Sequence, residues 1–252
     1  MALSFRQTEI LDIARTEGRV IVDDLAERFN VTAQTIRRDL TELADAGKLD
    51  RVHGGAIMPS GVTNIGYADR RAMAADAKTR IARACAKAIP DNSSLLLNIG
   101  TTTEAVAREL LGHRSITVLT NNINVANILV ANQSCEVIVT GGLLRRSDGG
   151  LIGDLTTQAI QAFKVDHAVI GTSALDLDGD LLDFDAQEVR VSRAIIKQSR
   201  KVFLVADASK LSRSAPVRIG SLSEIDAIFT DAPLPEALAR QCEEWGTAVH
   251  VV

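Results

Sequence analysis

A short polar segment near the N-terminus carries the side chains that can recognise duplex DNA. Gln34 can form two hydrogen bonds with adenine, and Arg37 and Arg38 can do the same with guanine or can bind a phosphate. Thr35 can contact either a base or the backbone. Arg38 also lies four residues before Glu42, so a surface ion pair is the alternative for Arg38, and a solvated charge is the alternative for Arg37.

A helix is needed to present these side chains on one face. Ile36, Leu40 and Leu43 recur at helical spacing, so the segment is predicted to pack one apolar stripe against neighbouring helices. Thr32 is the predicted N-cap residue, because its hydroxyl can accept from a free amide of the first turn. Gly47 is the predicted helix stop.

Two further helices and a hairpin complete the predicted N-terminal domain. A first helix is predicted to begin near Ser4 and a second to cover residues 20–29, with a tight turn before the third. This order predicts a helix-turn-helix, whose third helix enters the major groove. Residues 49–57 are predicted to form a wing hairpin turned by Gly54 and Gly55. The predicted DNA-binding residues are Thr32, Gln34, Thr35, Arg37, Arg38, Lys48, Arg51 and His53.

The charge balance bears on how many copies bind DNA. The 252-residue chain has a formal net charge of -4, and residues 1–58 contain eight Lys or Arg against ten Asp or Glu. The basic footprint is therefore local, with about four cationic contacts per copy, whereas effective binding uses roughly 6 to 10 phosphates. We predict a homo-oligomer, a dimer or a tetramer. Aromatic residues make up only 3% of the chain, which argues against single-strand binding by base stacking.

Short apolar runs alternate with helical segments from Ser93 onward. Such alternation predicts an α/β domain with a mainly parallel sheet covered on both faces. We expect a winged helix-turn-helix domain at residues 1–58, a linker at 59–75, and an effector-binding and oligomerisation domain at 76–252. The basic stretch from Tyr67 to Ile89 is predicted to be helical, either as a solvated face or as a further DNA or dimer contact. The predicted strands are residues 95–99, 116–120, 136–140, 167–172, 202–206, 227–230 and 248–251.

Polar loops follow these strands, at the edge of the sheet where ligands bind. The loop at residues 100–103 opens a helix and offers amides, hydroxyls and a positive dipole end to a phosphate. Each loop alone is compatible with ordinary turn chemistry, and Asp185 and Glu188 with stabilisation of a helix dipole. Together they predict a site for an anionic effector. The predicted effector-binding residues are Gly100, Thr101, Thr102, Thr103, Asn121, Asn122, Gly141, Gly142, Arg145, Gly171, Asp185, Glu188, Asp207 and Lys210.

Two stretches, residues 31–40 and residues 53–56, resemble the signature of the DeoR family of bacterial repressors. The resemblance covers essentially the whole chain and implies binding to a double-stranded operator. The C-terminal loops resemble the sensor domain of that family, which is similar in fold to ribose-5-phosphate isomerases, and this implies a sugar-phosphate effector. Residues 181–190 resemble the branch of glycerol-3-phosphate regulon repressors most. We therefore expect a repressor of carbohydrate or glycerol metabolism genes, released by glycerol 3-phosphate or by another sugar phosphate.

Catalysis is the competing hypothesis. Isomerases of that resemblance carry an acid-rich Asp-Gly-Ala-Asp-Glu loop after the fourth strand, whereas the corresponding residues 170–174 contain no carboxylate. We predict no catalytic residue and no enzyme activity. Nucleotide-binding glycine motifs are absent from the sequence, and the three cysteines lack metal-ligand spacing, so we predict neither cofactor nor metal. The sequence shows no secretory signal and no long apolar stretch, which predicts a cytoplasmic protein without membrane contact.

Overall fold

A computed structural model of the chain describes residues 3–17, 19–46, 48–52, 54–57 and 66–252. Its N-terminal part contains three helices and an antiparallel three-stranded sheet in which β3 lies between β1 and β2. Ile10, Leu25 and Leu49 lie in one small apolar core together with residues of the third helix. The elements are α1 Phe5–Glu17, β1 Arg19–Ile21, α2 Val22–Arg28, α3 Ala33–Asp45, β2 Asp50–Val52 and β3 Gly55–Ile57.

The third helix has the predicted start and the predicted apolar stripe. The Thr32 hydroxyl accepts from the Thr35 amide at 3.2 Å, so Thr32 is confirmed as the N-cap residue. Ile36, Leu40 and Leu43 are fully buried. The predicted stop at Gly47 lies outside the described residues.

The prediction that the second helix covers residues 20–29 was wrong at its start. Val20 and Ile21 belong to β1 and pair with Ala56 and Gly55 of the wing, and α2 begins only at Val22. Both are β-branched residues, which suit a half-buried strand. A Cβ at Gly55 would lie 2.0 Å from the Val20 carbonyl oxygen, so glycine permits this strand pairing. The predicted wing hairpin is confirmed, since β2 and β3 pair antiparallel.

The C-terminal part is built on seven strands that all run parallel. All seven predicted strands are present, with small differences at their ends. The strands in spatial order are β15 Ala248–Val251, β14 Ala227–Thr230, β12 Ser199–Val205, β9 Val165–Ile170, β4 Ser94–Leu97, β5 Ile116–Thr120 and β6 Cys135–Val139. The helices are α4 Tyr67–Ala72, α5 Ala75–Lys87, α6 Thr101–Glu109, α7 Ile123–Leu129, α8 Asp154–Gln161, α9 Ala186–Lys197 and α10 Glu236–Trp245.

The helices cover both faces of this sheet, which explains why its strands are almost continuously apolar. Leu96 points to the core under α8, α9 and α10, whereas Leu95 and Leu97 point to the core under α5, α6 and α7. The strand order reverses between β4 and β9. The sheet continues through β5 and β6 on the β4 side, and through β12, β14 and β15 on the β9 side. The loops after β4 and β9 therefore flank the crevice in which such sheets bind ligands.

Two small antiparallel sheets and one helix break were not predicted from the sequence. One sheet is the hairpin of β7 Leu143–Arg145 and β8 Gly150–Ile152, and the other combines β10 Ala174–Leu175, β11 Asp180–Asp183 and β13 Val217–Ser221. The basic helical stretch is two helices, because the chain turns at Ala74, whose φ is +51°. In the part of the chain that the structure describes, no helix is long and apolar enough to cross a membrane.

Candidate functional site

The polar face of α3 is open to solvent. Gln34, Arg37 and Arg38 are exposed, and Thr35 is half-buried beside the N-cap. The alternative ion pair is present, since the Arg38 Nε lies 3.0 Å from the Glu42 Oε1. The Arg38 side chain is 80% exposed, so this pair is weak and leaves the guanidinium accessible.

The wing is tied to α3 through Arg51. Its guanidinium donates to the Arg37 carbonyl oxygen at 3.0 Å and to the Thr41 hydroxyl at 2.8 Å. Lys48, just before β2, is exposed. His53 lies outside the described residues, so its predicted DNA contact stays a prediction.

An open cleft of about 1,280 Å³ runs between the start of α1 and the polar side of α3. Five of the predicted DNA-binding residues line it, whereas Arg37 and Arg51 lie outside its lining. Arg6 spans the cleft and binds the buried Asp39 at 2.6 Å, which fixes α1 on α3. The sequence analysis missed this pair. The predicted residues in the cleft lining are Thr32, Gln34, Thr35, Arg38 and Lys48.

In the C-terminal part, Arg145 of β7 joins three carboxylates. Its guanidinium contacts both Asp148 oxygens at 2.9 and 2.7 Å, Asp185 at 2.8 Å and Glu188 at 2.6 Å. Burial alone would lower the pKa of Arg145, but the bond to Asp148 and the charge of Glu188 outweigh burial and raise it. The structure thus brings three predicted effector residues, Arg145, Asp185 and Glu188, into one cluster. The donors of Arg145 are already engaged by protein carboxylates, so its phosphate contact stays a prediction.

A cavity of about 210 Å³ lies beside this cluster. Asp148, Asp183, Asp185 and Glu188 line it opposite Arg70 and Arg145. Burial and the neighbouring Asp183 raise the pKa of Glu188 to about 7, and burial raises the pKa of Asp183. The cavity wall is therefore acidic, with carboxyl groups too crowded to ionise together at low cost.

Helix α4 supplies another wall of the same cavity, through Tyr67 and Arg70. The Arg70 Nη2 lies 3.4 Å from the Asp148 Oδ2. The Tyr67 hydroxyl donates to the buried Glu104 at 2.9 Å, and burial followed by this bond raises the pKa of Tyr67 to about 12. Asn124 donates to Glu104 at 3.0 Å from α7. These contacts dock α4 on the sensor fold.

Three cations lie close to one buried carboxylate, and a fourth cation, from the cavity lining, lies close to those three. Asp207 follows β12. Burial raises its pKa, but the charge of Lys210, the Ser209 hydrogen bond and the charges of Lys78 and Arg213 outweigh burial and lower it. Arg70 is close enough to act on Lys78, Lys210 and Arg213. We call Arg70, Lys78, Lys210 and Arg213 the cation cluster. Two of its members, Arg70 and Lys78, belong to the basic stretch from Tyr67 to Ile89, which was predicted to face solvent or to contact DNA or a second copy.

The members of the cation cluster differ in how they are held. Lys78 is buried and its ammonium donates to the carbonyl oxygens of Arg70 and Met73, which closes the turn between α4 and α5. The side chains of Lys210 and Arg213 donate no hydrogen bond to another described residue, and only their backbone amides do so. Burial, followed by the charge of Arg213, lowers the pKa of Lys210 to about 7. The cluster thus holds two cationic side chains whose donors the described residues do not use.

Several predicted loop residues use their polar groups within the fold. The Thr103 hydroxyl donates to the carbonyl oxygens of Asn98 and Gly100, both at 2.8 Å. Asn121 is buried and donates to the Leu151 carbonyl oxygen, and Asn122 caps α7. Thr101 and Gly171 are half-buried, Thr102 is buried, and Gly141 is exposed. As ligand contacts, these residues stay predictions.

Gly142 has a structural reason to be glycine. Its φ is +134°, and a Cβ there would lie 1.9 Å from the Thr156 Oγ1. We expect Gly142→Ala to lower the free energy of unfolding by about 1–3 kcal/mol, because the hairpin would have to move away from α8. The matched control is Gly112→Ala, where a Cβ would meet no atom within 4 Å. Chemical denaturation of both variants checks this, and equal midpoints would contradict it.

A winged helix-turn-helix joined to an α/β domain with a polar cavity defines a class of protein, the transcriptional regulator with a sensor domain. Family comparison agrees with this class. Residues 6–62 match the DeoR-like helix-turn-helix domain, and residues 73–232 match the DeoR C terminal sensor domain. The chain belongs to the DeoR family, and it is a DNA-binding regulator rather than an enzyme.

The relatives include repressors that match along nearly their whole length. The chain is 47% identical over 230 residues to the glycerol-3-phosphate regulon repressor of Escherichia coli K12, covering 91% of each chain. It is 43% identical over 247 residues to the repressor of that name from Haemophilus influenzae, covering 98% of this chain and 96% of the relative. Ribose 5-phosphate isomerase from Methanocaldococcus jannaschii is 14% identical, covers 54% of each chain and has a TM-score of 0.41, too low to support an inference.

Proposed function

We propose that the protein represses genes of glycerol or carbohydrate metabolism and leaves its operator when a small phosphorylated metabolite binds the sensor domain. Glycerol 3-phosphate is the favoured effector, and another sugar phosphate is the alternative. The observation that carries this proposal is the cation cluster, in which Lys78, Lys210 and Arg213 lie close to the carboxylate of Asp207 and Arg70 lies close to these three. The names of the relatives at 47% and 43% identity favour glycerol 3-phosphate.

The cation cluster suits the phosphate end of such a ligand. A phosphate monoester carries about −1.5 to −2 charges near pH 7, and it needs several donors in a partly desolvated place. Lys210 and Arg213 have their donors unused within the described chain. Burial lowers the pKa of Lys210 to about 7, so part of the free protein lacks this proton near neutral pH. A bound phosphate would raise the pKa of Lys210 and restore the proton.

The position of α4 suggests how occupancy reaches the DNA-binding domain. Arg70 touches Asp148 and belongs to the cation cluster, so a phosphate would compete with Asp148 for it. We propose that this competition displaces α4, which follows the wing strand β3 in the chain. Complete release requires the effector to prefer the released state by about 5 kcal/mol, which two or three charge-assisted hydrogen bonds can supply.

On the DNA side, we propose that Gln34, Arg37 and Arg38 contact the major groove, with Thr32, Thr35, Lys48, Arg51 and His53 at the backbone or flanking bases. The exposed polar face of α3 supports this assignment.

The proposed release by an effector is tested by titrating an operator complex with glycerol 3-phosphate, ribose 5-phosphate, glycerol and inorganic phosphate in a gel-shift assay. We expect release by a phosphate ester and none by glycerol. Release by glycerol alone, or by no ligand of the set, would contradict it.

We expect at least two copies of the chain on each operator. A single copy offers four cations among the predicted DNA-binding residues, namely Arg37, Arg38, Lys48 and Arg51. That number is below the roughly 6 to 10 phosphate contacts of effective binding. Sedimentation of the protein–operator complex measures the stoichiometry. A complex that holds one chain per operator at full affinity would contradict the expectation.

A further inference from the structure

We propose that the cavity beside Arg145 selects the uncharged hydroxyl end of a phosphorylated polyol and rejects a ligand whose other end is anionic, with Glu188 as the residue that reads the hydroxyl. This inference rests on the proposed function and deepens it. It names the ligand class as the monophosphate ester of a short polyol, and it excludes phosphorylated carboxylic acids of the same length.

One of the two carboxyl oxygens of Glu188 is available to accept a hydrogen bond from a ligand. Its Oε2 accepts from Arg145 at 2.6 Å, whereas its Oε1 has no hydrogen-bond partner within the described part of the chain. The side chain lines the cavity and is only 13% exposed. This oxygen is therefore open to the cavity, where a ligand hydroxyl can donate a hydrogen bond to it.

The other acidic groups of the cavity are already occupied by the protein. Asp183 accepts from the Ser173 hydroxyl at 3.0 Å and from the Phe184 amide at 2.6 Å. Asp148 and Asp185 bind Arg145. Glu188 is therefore the wall residue with an open acceptor, and the remaining carboxylates act on a ligand through their charge.

The balance of charge argues against a second anion on the ligand. Four carboxyl groups face two guanidinium groups at this cavity, Arg70 and Arg145. Burial, followed by the charge of Asp183, raises the pKa of Glu188, so a negative charge at this wall is costly. A ligand carboxylate placed here would meet the same penalty, whereas a hydroxyl would not.

Size and position orient the ligand. The cavity is about 210 Å³, below the roughly 300–1,000 Å³ of sites for drug-sized molecules, so the ligand has few carbons. Arg70 belongs both to the cavity lining and to the cation cluster. The phosphate would bind on the cation side of Arg70, and the carbon end would extend toward Glu188.

The matched probes are glycerol 3-phosphate and 3-phosphoglycerate, which differ in that one terminal carbon is CH₂OH in the first and a carboxylate in the second. Isothermal titration of the full-length wild type at pH 8 should show glycerol 3-phosphate binding at least about tenfold more tightly. Glu188→Gln should reduce this ratio at least about fivefold, mainly by tighter binding of 3-phosphoglycerate. Glu243→Gln, at an exposed position on α10, makes the same chemical change and should leave the ratio unaltered.

The outcomes separate this inference from the function on which it rests. Equal affinities for the two probes, or an unchanged ratio in Glu188→Gln, would overturn the inference and leave the proposed function standing. If neither probe binds and inorganic phosphate does not bind, the proposed function fails as well. Asp183→Asn provides a second variant, expected to reduce the ratio in the same direction, and retained operator binding shows that each variant is folded.

Discussion

Replacing Arg37 and Arg38 together by alanine should lower operator affinity at least about 30-fold while effector binding is unchanged. Both side chains are exposed on the polar face of α3, and neither is needed for the apolar stripe beneath. A bidentate arginine–guanine contact contributes about 1–3 kcal/mol, so two lost contacts per chain amount to about 2–6 kcal/mol. A gel-shift titration measures the loss, and thermal stabilisation by glycerol 3-phosphate measures the sensor domain.

The matched control for this variant removes two exposed arginines from the sensor domain. The ion pairs of Arg190 and Arg200 are long, at 4.0 Å to Asp154 and 3.6 Å to Asp166, and Arg200 also donates to the Lys164 carbonyl oxygen at 3.3 Å. The double variant Arg190→Ala with Arg200→Ala loses the same net charge and should bind the operator nearly as the wild type does. Equal losses in both variants would mean that overall charge, rather than the α3 face, determines binding.

Replacing Lys210 and Arg213 together by methionine should weaken effector binding more than about 100-fold and give a repressor that stays on its operator. Each charge-assisted hydrogen bond contributes about 1.5–3 kcal/mol, and methionine removes the charge at similar side-chain length. Operator binding without effector should persist, which also shows that the variant is folded. Lys201→Met with Arg200→Met, both exposed on β12, is the control. Normal release of the double variant by glycerol 3-phosphate would contradict the assignment of the phosphate site.

The same site gives this prediction a second readout in its pH dependence. The pKa of Lys210 is lowered to about 7 by burial and by Arg213, with Arg70 and Lys78 adding to this and Asp207 opposing it. As the pH rises through 7, Lys210 loses its proton and its attraction for a phosphate, so effector affinity should fall. Lys210→Arg stays protonated and should flatten that decline. An equally steep decline in Lys210→Arg would assign the titration to another group.

The sheet and the third helix could be predicted from the sequence because burial alone sets their patterns. Parallel strands covered on both faces are continuous apolar runs, and all seven were predicted. The stripe of Ile36, Leu40 and Leu43 likewise depends on local spacing. The start of α2 was wrong because Val20 pairs with Ala56, a contact between residues distant in sequence. Local helical preference cannot reveal such a partner.

The sequence singled out Asp207 and Lys210 after a predicted strand, and Asp185 and Glu188 at a predicted helix start. Their binding of an effector stays a prediction. The partners that tune them are far away in sequence, since Arg145 reaches Glu188 from another element. Lys78 was expected on a solvated or partner-facing surface because its stretch is basic, yet the fold buries it. The boundaries at residues 58 and 75 stay predictions.

Because α4 docks on the α/β domain, the proposed effector site includes residues that lie outside the seven-stranded sheet and its covering helices. Tyr67 and Arg70 line the cavity, although they belong to the segment that was predicted to be the linker. An excised sensor beginning at α5 would have an opened cavity and would lack one cation of its binding site. In the proposed function, sensing and transmission would share a single short helix, and evolution of one would constrain the other.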